Sequence, residues 1–214
     1  MTDEPSQSRF GRRIELAATL LLALAAVGTA WSTYQSARWH GKQAKAQSAS
    51  IAARVESTRQ ANVANRQGQI DVALFTQWVD AYARDQTELA AFYRKRFRPE
   101  FVPAFDAWVA TKPRKNPDAP LSPFAMPQYK LAATAEAARL DEEAEGLAAE
   151  VRSDIQRASN YVLGVVLFAV ALFFAGISTK LSAPRLQAAT LAAGCLIFLG
   201  TLGWILTFPI SLSV

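Results

Sequence analysis

Residues 128–178 read QYKLAATAEAARLDEEAEGLAAEVRSDIQRASNYVLGVVLFAVALFFAGIS, and how this stretch is read decides the fold. Up to residue 156 it is rich in alanine and acidic residues with a helical period, whereas residues 161–178 are apolar and carry no charge. One continuous helix is therefore expected to leave a bilayer and stand above it. Ala133, Ala137, Leu140, Ala144, Leu147, Val151, Ile155, Ala158 and Val162 follow one another in steps of three and four. One extra step of four is a stutter, which locally relaxes a left-handed supercoil. Within this seam Leu140, Ala144, Leu147, Val151 and Ile155 form a candidate assembly surface. Asp141, Glu142, Glu143 and Glu145 fall off the seam and read as a solvated face.

Working outward, the chain has 214 residues, 51% of them apolar and 19% charged, with the apolar residues concentrated in three blocks free of lysine and arginine. That distribution predicts an all-α membrane protein with three spans and one modest extramembrane domain. The net charge of +5 is spread thinly, and no long basic run points to nucleic acid. The lone cysteine, Cys195, cannot close an intrachain disulfide, and one cysteine with one histidine excludes a Cys/His zinc site within one chain.

Residues 1–9 are polar and expected to be disordered, the first part of a tail covering 1–13. In the first block Arg12 and Arg13 precede an apolar run of signal-peptide length. The helical pattern runs on past Trp31, however, and Tyr34 and Trp39 follow as interfacial aromatics, so the block reads as an uncleaved anchor over 14–33. Ala26 and Ala30 make a small-xxx-small pair there. Residues 34–67 then read as a stalk with a narrow seam of Ala44, Ser48, Ile51, Val55, Thr58 and Asn62. A returning stalk at 128–160 would pair with it antiparallel, each extending roughly 50 Å at about 1.5 Å per residue.

Between the stalks, cap helices are expected over 69–111. One carries Leu74, Phe75, Trp78 and Tyr82; a second starts at an Asp85 N-cap with Glu88 three residues on and ends at Pro99; a third spans 100–110 with Pro103 in its first turn. Five prolines between Pro113 and Pro127 make 112–127 an extended strap, packed through Leu121, Phe124 and Met126.

The second and third spans, 161–178 and 186–209, are joined by the short loop 179–185 and must be antiparallel neighbours, with a tail at 210–214. Gly194, Gly200 and Gly203, with Ala171 and Ala175, are candidates for close helix contact. Neither span holds Asp, Glu, Lys, Arg or His, which argues against a pump or secondary transporter. Arg9, Arg12 and Arg13 before the first span, and Lys180 and Arg185 between the others, place those segments in the cytoplasm and residues 34–160 outside. Trp31, Tyr34, Tyr161 and Trp204 would then meet the outer interface.

The densest chemistry is residues 92–101, FYRKRFRPEF. Arg94, Lys95, Arg96 and Arg98 could form a surface for anionic lipid or an acidic partner. The plainer reading pairs the arginines with Asp85, Glu88, Glu100 and Asp106 while the aromatics fill the cap. His40 is a lone interfacial histidine with no partner for catalysis. No nucleophile, base or glycine-rich phosphate loop accompanies the carboxylates, so no catalytic or metal site and no cofactor is expected.

Three motifs in order, WSTYQSARWHGKQ at 31–43, FYRKRFRPEF at 92–101 and PFAMPQY at 123–129, resemble a group of uncharacterised bacterial inner-membrane proteins with three spans and a helical extramembrane domain. The resemblance implies a bacterial source and carries no activity, ligand or functional residue with it. The function expected is a non-enzymatic integral membrane protein that assembles with copies of itself or serves as accessory subunit of a membrane complex. A sensor working through a separate effector, or an oligomeric pore, are the alternatives.

Overall fold

The computed structural model describes residues 9–211, all helix, turn and loop, with no strand among them. Of the tail expected at 1–13, with 1–9 disordered, residues 1–8 lie outside the described residues, as does the chain end at 212–214, while Arg9–Arg13 are already helical. Five α-helices follow in order: α1 (Arg9–Ala83), α2 (Thr87–Arg94), α3 (Val102–Ala110), α4 (Ala132–Ser178) and α5 (Pro184–Ile205), with a 3-10 turn at Pro123–Ala125 before α4. Helices α1, α4 and α5 are each long and apolar enough to cross a membrane. The described residues form two compact units, 9–48 with 147–211, and 49–146.

The first unit holds the apolar parts of the three long helices. Ile14, Ala18, Leu21 and Ala25 of α1 pack with Phe168, Ala171 and Ala175 of α4 and with Leu191, Phe198 and Ile205 of α5. The steps along α1 are four, three and four, the knobs-into-holes period of a helix seam. Small residues bring the backbones together, which is how helices pack where lipid supplies no hydrophobic driving force. A Cβ added at Gly28 would lie 2.8 Å from Phe168 Cζ, and one at Gly194 would lie 3.3 Å from the Ala171 carbonyl. Gly200 and Gly203 approach nothing, and Ala26 and Ala30 face outward, so the contact glycines are Gly28, Gly194 and Gly164, the last against the Ile205 side chain. The outer faces carry exposed Leu16, Leu20, Leu24 and Val27 on α1, and Leu196 and Leu199 on α5.

The second unit pairs α1 with α4 in antiparallel register. Ser50 Oγ donates to the Ala144 carbonyl at 2.9 Å and Ser57 Oγ to the Ala137 carbonyl at 2.8 Å. The buried α1 residues of this unit begin Ser50, Ala53, Ser57 and Ala64 and continue with Asp71 and Ala81, so the row Ile51, Val55, Thr58 and Asn62 expected to be the seam faces solvent instead. Hydroxyls are the reason: a serine two helical steps away can cover a carbonyl at closer approach than isoleucine allows, and small side chains sit inside a close pair.

Helix α1 does not break at Gly68, where one glycine costs only about 1 kcal/mol. It ends at Ala83 in a Schellman motif: Gln86 N–H donates to the Ala81 carbonyl (3.0 Å) and Asp85 N–H to that of Tyr82 (3.2 Å), with Asp85 left-handed at φ 57°. Asp85 therefore stops one helix rather than capping the next. Gln86 holds the N-cap position of α2 without a side-chain hydrogen bond. Helix α2 ends at Arg94, before Pro99, and α3 begins at Val102 with Pro103 in its first turn.

Candidate functional site

The chemistry of the second unit is built on one buried ion pair. Asp71 lies on the inner face of α1 and is fully buried. Arg98, in the link between α2 and α3, reaches back so that its Nη1 donates to Asp71 Oδ2 at 2.9 Å, while its Nη2 pairs with Glu100. Tyr129 Oη donates to the same Asp71 oxygen at 3.1 Å, and Glu100 Oε1 accepts the Ala132 N–H at the start of α4 at 3.3 Å. Three chain segments thus meet at the Asp71 carboxylate, and Glu100 ties the start of α4 to the same cluster. Burial pushes the Asp71 carboxyl above its ordinary range, with the Arg98 charge opposing that shift. Burial, and then the charge of Asp71, push the Tyr129 phenol up to about 12. Asp71 Oδ1 and Gln67 Oε1, one turn apart, are buried without a hydrogen-bond partner among the described residues.

Around this pair stands an aromatic cluster. Phe97, Phe101 and Phe105 are buried, with Phe75, Trp78, Phe124 and Tyr129 packed against them. Phe101 stacks on Phe124 at 5.2 Å, and Trp78 meets Phe105 edge-on at 4.8 Å. The strap enters through Phe124, and Trp108 Nε1 donates to the Pro120 carbonyl at 2.7 Å. Rings therefore fix the strap where prolines have removed backbone donors.

Of the basic run, Arg98 is committed to Asp71 and Glu100, and Arg94 Nη2 pairs with Asp106 at 2.6 Å while its guanidinium lies over Phe105. Arg96 covers the Phe92 ring and donates to the Phe92 carbonyl. Lys95 is exposed and makes no ion pair among the described residues. Pairing with Glu100 and Asp106 is present, and Asp85 and Glu88 make no such pair; the partner that sequence reasoning missed is Asp71. Its signal was available: a lone aspartate on the apolar face of the Leu74–Phe75–Trp78 helix.

The candidate assembly surface divides. Leu140, Ala144 and Val151 are buried within the chain and Leu147 is half-buried. Ile155 is 41% exposed and its expected place is taken by Asp154, paired with Arg157 at 3.1 Å. The inner row therefore runs Val151, Asp154, Ala158, Tyr161, and the expected stutter is absent there. Of the interface aromatics, Trp31 and Tyr34 are exposed with ring centroids 6.0 Å apart, and Trp204 is half-buried against Phe208. Tyr161 differs: it is fully buried, and its hydroxyl donates to the Pro209 carbonyl at 3.2 Å. Beside it Gln35 Oε1 accepts the Ser211 N–H at 3.0 Å.

Beside the aromatic cluster lies an open groove of 720 Å³, lined by Trp78, Tyr82, Trp108, Arg114, Pro117 and Leu121 among others. Among the described residues no three His, Cys, Asp or Glu side chains converge on a metal-sized space. Comparison with protein families, curated proteins and solved structures gives no match to this chain.

Proposed function

We propose that the chain is a non-enzymatic integral membrane protein that acts by self-assembly, in a bacterial inner membrane with residues 34–160 on the outer side. The observation that carries the reading is the row Ala44, Ser48, Ile51, Val55, Thr58 and Asn62 on α1, uncharged, spaced in fours and threes, and entirely exposed. Ile51 is 54% and Val55 64% exposed, beyond the apolar run 14–33 that lipid would cover. A helix facing water on that side has no reason to keep such a row clear of charge unless another helix covers it. A second copy, held in the same orientation by its own spans, presents the same row.

The commitment of Asp71, Arg98, Glu100 and Tyr129 to one another supports reading this cluster as a structural tie. The antiparallel serine contacts of α1 and α4 support reading 34–67 and 128–160 as a paired stalk with the strap at 112–127. Flanking arginines and Lys180 support the sidedness.

The test is native mass after gentle extraction. The natural chain is expected at an integral multiple of its own mass, and Ile51→Lys/Val55→Lys at the mass of one copy. An unchanged multiple in that variant would sink the α1 row as the contact, and a constant second protein in the particle would replace self-assembly by an accessory role.

A further inference from the structure

We infer that the groove beside the aromatic cluster binds a water-borne aromatic carboxylate, a flat apolar ring system bearing one anionic group. It is independent of the assembly row, since no residue of that row lines the groove, and none of residues 14–33, 161–178 and 186–209 does.

The body of the ligand is argued from the walls. Trp78 and Tyr82, one turn apart on α1, stack on one another at 4.9 Å with their planes 10° apart, and so line the groove as one rigid aromatic block. Trp108 on α3 is held by its bond to the Pro120 carbonyl, and Pro113, Pro117 and Pro120 supply a rigid opposite wall. Rigid rings facing rigid prolines lose little side-chain freedom when a ligand enters, which favours binding over collapse. The volume of 720 Å³ falls within the roughly 300–1,000 Å³ of small-molecule sites.

The anion is argued from the rim. Lys112, Arg114 and Lys115 all line the groove and are exposed, and none makes an ion pair among the described residues. This separates them from Arg94 and Arg98, whose charges are already spent on Asp106, Asp71 and Glu100. Residues 112–121 contain one carboxylate, Asp118, against these three cations. Arg114 lies over the Tyr82 ring, 5.3 Å from its centre, which puts a cation at the edge of the aromatic wall. The backbone reinforces the arrangement. Lys112 is left-handed at φ 56°, and the Lys115 and Asn116 N–H groups both return to its carbonyl, at 2.8 and 3.0 Å, closing the turn that groups the cations. A ring held between the Trp78–Tyr82 block and the proline wall, with its carboxylate toward Arg114 and the two lysines, uses every feature the groove offers.

The test uses the full chain in zwitterionic nanodiscs, with empty nanodiscs as blank, and equilibrium dialysis of 2-naphthoate against its neutral amide. Saturable uptake of the acid is expected, weakening about tenfold in Arg114→Gln/Lys115→Gln, as loss of charge-assisted hydrogen bonds implies, while the amide binds weakly and equally to both proteins. A second variant, Tyr82→Leu, keeps the cations and removes the ring, and is expected to weaken the acid as well. Both sites are exposed, so the fold does not depend on them. No saturable uptake of the acid at millimolar concentration, equal affinity for acid and amide, or indifference to both variants would overturn the assignment.

Discussion

Arg98 Nη1 stands 2.9 Å from Asp71 Oδ2, joining a loop between two short helices to the inner face of a helix 27 residues earlier. The carboxylate is fully buried and the guanidinium nearly so, its other arm resting on Glu100. A charge at Asp71 survives in that place only because Arg98 and Tyr129 both point donors at it, for an unpaired carboxylate in an apolar cluster is strongly disfavoured.

Removing the arginine alone is therefore expected to be worse than removing the pair. Arg98→Ala should destabilise the second unit by about 3 kcal/mol, the usual size for a stranded buried charge. Asp71→Asn/Arg98→Met should recover part of that loss. Protease resistance of residues 49–146 checks both. Because burial raises the Asp71 pKa, its favourable contribution is complete below about pH 4 and declines as pH rises through the raised value. Arg98→Ala should accordingly be least damaging in acid.

Tyr129 makes a second pH prediction at the other end of the scale. Its folded pKa of about 12 lies above the ordinary value near 10, so its stabilising contribution is full below pH 10 and is lost as pH climbs toward 12. Ultraviolet titration of tyrosinate should show one fewer late-ionising tyrosine in Tyr129→Phe than in the natural chain. Equal late amplitude in the two proteins would contradict the assignment.

Much of this architecture is legible in the residues, and the parts that are not share a cause. Apolar blocks mark the three long helices because their length and composition have few other uses. Boundaries and faces are harder. Asp85 followed by Glu88 has the spacing of a capping box, yet Asp85 serves equally well as the left-handed residue of a Schellman motif, and only the bond from Gln86 to Ala81 distinguishes the two. On α1 the apolar row at Ile51 and Val55 looked like the inner seam, but Ser50 and Ser57 go inside because their hydroxyls reach α4 carbonyls. On α4 Ile155 yields to Asp154, whose charge Arg157 answers. In the groove, Lys112, Arg114 and Lys115 are scattered among prolines, and nothing in the spacing alone shows that they share a rim with Trp78 and Tyr82.

The glycines of the first unit sort by what they touch. Gly28→Ala would place its Cβ 2.8 Å from Cζ of Phe168, a ring already buried against Phe198. Such overpacking costs about 1–3 kcal/mol. Gly203→Ala meets nothing within 4 Å and should be neutral or slightly stabilising. Thermal inactivation of the two variants in identical nanodiscs should separate them, and equal behaviour would count against the packing of α1 on α4.

Leu140 and Val151 offer a contrast with the exposed α1 row. Both are buried inside one chain, so Leu140→Ser should cost about 2–5 kcal/mol of that chain's own stability, as for other truncations of buried leucine. Particle mass among the molecules that remain folded should not change. Ile51→Lys/Val55→Lys should do the reverse, leaving the fold and changing the mass. Loss of assembly from a fully stable Leu140→Ser protein would mean that the α4 seam faces another copy.

Lys112 carries the last prediction, because two effects at one residue pull in opposite directions. It follows the C-cap Thr111 with a left-handed φ of 56°, a conformation that costs a side-chain-bearing residue about 1 kcal/mol relative to glycine. Its N–H bonds the Val109 carbonyl at 3.0 Å, but the next residue is Pro113, which has no N–H to complete the usual second bond of such a cap. Glycine at this position should therefore relieve the strain and raise stability by a few tenths to about 1 kcal/mol, the unfolded chain's added freedom offsetting part of the gain. The same change removes one of three cations from the groove rim and should weaken uptake of an aromatic carboxylate. A protein that becomes more stable while binding less well would show that the turn is strained for the sake of where it puts the lysine. Lys112→Asn separates the terms further, since asparagine tolerates the left-handed region without restoring the charge. Stability that falls in Lys112→Gly would mean that the lysine side chain, rather than its backbone, holds the turn.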